Sequence, residues 1–140
     1  MNKNVIKFKK DPYIISEIGI NHNGYLSLAK KMIKTSVLAG ANAVKFQKRD
    51  IDDLVNDKTK LKKAKGYLSK NVNDINHKSP KFGAWTYPDV RLELSNNDYF
   101  EIKKYCKKLK VDLVVTPWDE SSVDFLLNLN VKYLKIASID

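Results

Sequence analysis

The chain has 140 residues, 43% of them apolar, and carries 26 Lys and Arg against 16 Asp and Glu, a net charge of +10. That is enough chain for one globular domain with a core, and too apolar for a disordered segment. A single cysteine, Cys106, excludes an internal disulfide and a cysteine zinc cluster, and no run approaches the roughly 18 apolar residues of a membrane span. Met1 to Lys10 lacks the apolar stretch of a secretory signal, so the expectation is a cytoplasmic protein with residues 1–11 as a flexible lead. The lysines are scattered, and no helix-turn-helix or aromatic-interleaved RNA motif accompanies them. Nucleic acid is therefore not an expected partner, and an anionic small substrate suits the charge better.

The first element is the stretch Ile14 to Gly24. Ile14, Ile15, Ile18 and Ile20 make it a strand, apolar on both faces as in a parallel sheet. It also contains Glu17, Gly19 and Asn21, which strict alternation puts on one side, and it ends in the turn signal Asn23-Gly24. A carboxylate within a buried strand needs a partner or a use. The C-terminal end of such a strand is where α/β folds carry their sites.

A helix comes next, with Leu28, Ala29, Met32, Ile33, Ser36 and Val37 at helical spacing and Lys30, Lys31 and Lys34 outside. Gly40 stands where a helix-ending glycine belongs. Ala43 to Gln47 is a second strand, in which Lys45 and Gln47 alternate with Val44 and Phe46. Strand, helix and strand form a βαβ unit. In a sheet covered on both faces, Lys45 and Gln47 then share an interior with Glu17.

Residues 48–94 are a long excursion. Apolar positions from Ile51 to Leu68 hint at helix, and Ser69 to Lys81 reads as loop. Phe82, Trp85 and Tyr87 make an aromatic loop with a substrate-covering role as one reading and a surface anchor as the other. His77 has no ligand partner at metal spacing. Ser95-Asn96-Asn97-Asp98 then opens a helix that buries Ile102, Tyr105, Cys106 and Leu109. Val111 to Thr116 is a third strand, stopped by Pro117. Asp119, Ser121 and Ser122 offer caps to a helix carrying Val123, Phe125, Leu126, Leu127 and Leu129. Tyr133 to Ser138 is a fourth strand, with Lys135 between apolar neighbours.

Each strand thus brings polar groups to its interior or its C-terminal end: Glu17 and Asn21, Lys45 and Gln47, Thr116, then Lys135 and Ser138. Two lysines, an amide and two hydroxyls that converge suit a phosphate or carboxylate.

Four segments carry a family resemblance, in order: Ser16-Glu-Ile-Gly-Ile-Asn-His-Asn-Gly24, Gly40-Ala-Asn-Ala-Val-Lys-Phe-Gln47, Thr116-Pro-Trp-Asp-Glu-Ser-Ser-Val-Asp-Phe125 and Lys135-Ile-Ala-Ser138. Residues 12–140 resemble the N-terminal half of the sialic acid synthases, the N-acetylneuraminate synthases and their legionaminate and pseudaminate relatives. The likeness is weak between Lys58 and Lys81. It implies an α/β fold, the first four βα units of a (β/α)8 TIM barrel, with residues 1–140 as one domain. It also implies condensation of phosphoenolpyruvate with N-acetylmannosamine or a similar 2-acetamido sugar. By the same resemblance Lys45, Thr116, Lys135, Ser138 and Asn21 would bind substrate, and Glu17 and Gln47 would serve catalysis. A divalent metal, manganese or magnesium, is implied, with ligands outside this chain. His22 lies in the first motif and is not one of them. A full barrel takes about 250 residues. The resemblance therefore implies a partner, either the remaining half-barrel or a second copy, and an oligomer. A degenerate half-barrel that binds phosphate ligands without turnover is the alternative.

Overall fold

The computed structural model describes residues 11–50 and 92–137, with the backbone of two short strands between them. The expectations for residues 1–10, for helix between Ile51 and Leu68, for His77, for the side chains of the aromatic loop and for Ser138 lie outside the described residues.

The elements in order are β1 (Ile15–Gly19), α1 (Leu26–Leu38), β2 (Ala43–Lys48), β3 (Lys81–Phe82), β4 (Trp85–Thr86), α2 (Asn96–Leu109), β5 (Asp112–Pro117), α3 (Glu120–Leu129) and β6 (Tyr133–Leu134). One sheet has the order β1-β2-β5-β6, every pair parallel. Strands β3 and β4 pair antiparallel, Phe82 opposite Trp85, within the segment read as loop.

Local chemistry sets the boundaries. Helix α1 ends as Gly40 takes φ +91°, and its N–H donates to Val37 O. Asn42 Oδ1 then accepts from Ile14 N at 2.7 Å, seating β2 beside β1. Helix α2 opens with a full capping box between Ser95 and Asp98. It ends at Lys110, and α3 at Asn130, both in the left-handed region. At the start of α3, Asp119 Oδ1 accepts from Ser122 N at 2.7 Å.

The three helices cover one face of the sheet. Ile18, Val44, Phe46, Leu113 and Val115 point outward into a core with Ala29, Ile33, Tyr99, Ile102, Cys106, Leu126 and Leu129. Burial pushes the Cys106 thiol up to about 12, as befits an inert core thiol. Tyr105 and Leu109 are only partly buried, and Tyr99 takes the core place expected of them. The tyrosine also donates its hydroxyl to Gln47 O, tying α2 to the end of β2.

Two expectations change. First, β1 is an edge strand, so Ile14 and Ile15 are half-exposed rather than buried in a covered sheet. Second, the fourth strand is short. Lys135 still donates its N–H to Val115 O at 2.9 Å, but its side chain is exposed. The reason is shared: each strand lies at an edge, and among the described residues nothing packs over the inner face.

Candidate functional site

The inner face takes its side chains from the opposite phase of each strand, and two hollows share it. The one at the C-terminal ends has a volume of about 510 Å³ and is lined by Glu17, Gly19, Ile20, Asn21, Lys45, Gln47, Thr116, Trp118, Lys135 and Ala137. The neighbouring one, about 710 Å³, adds Tyr13, Ile15, Val114, Tyr133, Leu134 and Ile136. All the sequence-derived candidates except Ser138 therefore line one cleft.

Lys45 is its centre. Strand β2 lies between β1 and β5, with Lys45 opposite Glu17 on one side and Val114 on the other. Parallel pairing in that register sets a carboxylate beside the ammonium, and Nζ lies 2.8 Å from Glu17 Oε1. The two partners differ sharply: the lysine side chain is 4% exposed and the glutamate 58%. Gln47 is next on the same side and partly buried, with Thr116 directly across on β5. The Thr116 hydroxyl oxygen is buried and has no hydrogen-bond partner among the described residues. Lys135 comes in from the edge, its Nζ donating to Ile136 O at 3.2 Å.

Asn21 reaches the cleft by another route than the alternation predicts. Pairing of β1 shifts between Glu17 and Gly19, and Gly19 sits at φ +58°. Such a bulge breaks the two-residue period and re-aims the side chains beyond it. Asn21 stands on the ensuing turn, its Nδ2 donating to Ile18 O at 2.8 Å.

Sequence reasoning missed three features. His22 is buried on the other side of that turn, with its ring stacked on Phe46 at 5.7 Å. Its Nδ1 accepts from Gly24 N at 3.1 Å. Burial holds the imidazole neutral and brings its pKa down to about 4. The signal was a lone histidine between turn-forming asparagines. Trp118, one residue past β5, lines the cleft. The pair Arg49–Glu93, 2.6 Å apart, joins the two ends of the long excursion. Desolvation raises the Glu93 pKa, opposed by that guanidinium. No periodicity could reveal a pair so separated in sequence.

Among the described residues no three His, Cys, Asp or Glu gather to hold a metal ion. The carboxylate that lines the cleft is engaged by Lys45, and His22 is spent on its turn. These donors do not fit a divalent ion.

The NeuB family model matches residues 32–140. The chain belongs to the NeuB family, that of the sialic acid synthases. It is 40% identical over 126 residues to the N,N'-diacetyllegionaminic acid synthase of Legionella pneumophila, covering 90% of this chain and 33% of that protein. It is 39% identical over 130 residues to the N-acetylneuraminate-9-phosphate synthase of Drosophila melanogaster, covering 91% and 32%. The N-acetylneuraminic acid synthetase of Leptospira borgpetersenii, solved in complex with citrate, superposes with a TM-score of 0.64 at 25% identity, covering 100% of this chain and 41% of that one. The spore coat polysaccharide biosynthesis protein spsE of Bacillus subtilis superposes with a TM-score of 0.58 at 27% identity, covering 90% and 29%. The chain thus spans about a third of the length of the curated relatives it matches. Within the NeuB family its sheet and helices are a partial (β/α)8 barrel, and its cleft opens at the strands' C-terminal ends. No helix among the described residues is long and apolar enough to cross a membrane.

Proposed function

We propose that this NeuB chain supplies the anion-binding half of a synthase that joins phosphoenolpyruvate to N-acetylmannosamine or a related 2-acetamido sugar, giving a nonulosonic acid and phosphate. The observation that carries the reading is Lys45, an ammonium nearly sealed from water at the middle of a cleft rimmed by Gln47, Thr116 and Lys135. Fixed donors at the strand ends of a barrel suit a phosphate or carboxylate. The citrate bound by the Leptospira relative is an anion of that kind.

In this reading Lys45, Thr116 and Lys135, with Asn21 and Ser138, hold phosphoenolpyruvate. Glu17 and Gln47 face the sugar. The enol C3 attacks the open-chain aldehyde, water adds at C2, and the tetrahedral intermediate expels phosphate. The chain's own part is to bind and orient the anion and to place one carboxylate beside the reacting carbons. A divalent metal of the assembled enzyme would take its ligands from outside this chain. The inner face, with Tyr13, Ile15, Tyr133, Leu134 and Ile136 open to water, would be covered by the remaining half-barrel or by a second copy. The setting proposed is the cytoplasm. A second reading, phosphate binding without turnover, is favoured by the same lack of metal donors among the described residues.

The test is phosphate release from phosphoenolpyruvate with N-acetylmannosamine and manganese. The 140-residue chain is assayed alone and mixed with the complementary barrel half of the Legionella relative. Release only from the mixture is expected. A complex that forms without release would favour binding without turnover. Steady release by the pure chain would overturn the need for a partner.

A further inference from the structure

The Lys45–Glu17 pair is lopsided. Lys45 is fixed at the centre of the sheet, and an ammonium left there without an anion is costly. Glu17 stands on the edge strand, more than half exposed, and can rotate its carboxylate into water at little cost. The partner that can leave is therefore the acid. In the empty cleft Glu17 fills the place that an anionic ligand needs.

Resting on the reading above, we propose that Glu17 is an internal competitor for the anion site. It holds Lys45 in the empty protein and is displaced when a phosphate or carboxylate of the substrate takes the ammonium. One ammonium has donors for both, but two anions against it repel each other across a short distance, so occupancy by one weakens the other. Displacement does not remove the carboxylate from the cleft. It leaves Lys45 but stays beside Gly19, within 3.7 Å of where a Gly19 Cβ would stand, and a neutral, hydroxyl-rich co-substrate would meet it there as a hydrogen-bond acceptor. Binding of the anion thus frees the group that the second substrate uses.

The experiment is calorimetric titration of phosphoenolpyruvate into the full chain, as the unaltered protein, as Glu17→Gln and as Lys45→Met, with circular dichroism to confirm folding. Removing the competitor in Glu17→Gln is expected to tighten binding roughly two- to tenfold, the range of a partly exposed ion pair. Lys45→Met is expected to abolish it. Unchanged or weaker binding by Glu17→Gln, with binding lost in Lys45→Met, overturns the competitor and leaves the anion site standing. No binding by any of the three proteins overturns both.

Discussion

The two faces of the same four-stranded sheet treat similar residues in opposite ways. On the outer face Ile18, Val44, Phe46, Leu113 and Val115 are sealed under three helices. On the inner face Ile15 and Tyr133 are half-exposed, and Ile136 is 80% exposed. Alternation gives both faces apolar residues, so composition does not distinguish them. The helices do, because each crossover lays its apolar stripe on one side only. The outer face therefore carries the folding energy, which leaves the inner face free to hold charge in a cleft.

The largest effect expected from that division is on stability. Phe46→Ala opens a cavity in a fully buried site and should cost about 3–5 kcal/mol. Ile15→Ser, an equally apolar strand position on the inner face, should cost below about 0.5 kcal/mol. Denaturant unfolding of both variants makes the comparison. Equal losses would erase the difference between the faces.

A smaller effect comes from the turn where the faces meet. His22 packs on Phe46 outside, while its neighbour Asn21 lines the cleft. The folded imidazole has a pKa of about 4 against an ordinary 6.5. The unfolded chain therefore binds the extra proton between those values. Stability is full above pH 6.5 and falls as pH drops toward 4, by about 3 kcal/mol for a shift of that size. His22→Phe, which keeps a ring against Phe46, should flatten that slope in melting curves recorded from pH 7 to 4. An unchanged slope would assign the acid sensitivity to other groups.

Much of the outer face was legible in the sequence because it rests on local rules. The helical spacing of Ala29 and Ile33, the box at Ser95 and Asp98, and the cap at Asp119 each state their own structure. The cleft was legible too, since Glu17, Lys45, Gln47 and Thr116 all obey strand alternation. What alternation could not give was the bulge at Gly19, which sends Asn21 inward and His22 outward. Nor could it give the depth of each lysine. Lys45 and Lys135 have similar neighbours in sequence, yet one lies on a central strand and the other beyond an edge. Burial there depends on which strands pair, and that is settled by the whole sheet.

A small stability change and the sharpest functional one are expected at the same residue. Lys45→Met removes a buried ammonium, and its partner Glu17 already faces water. The most direct test is to record melting and phosphoenolpyruvate affinity together for this variant. A stability within about 1 kcal/mol of the parent, with affinity lost, is the outcome expected of an anion site. A loss of about 3–5 kcal/mol with affinity retained would make Lys45 a structural partner of Glu17 and contradict the account.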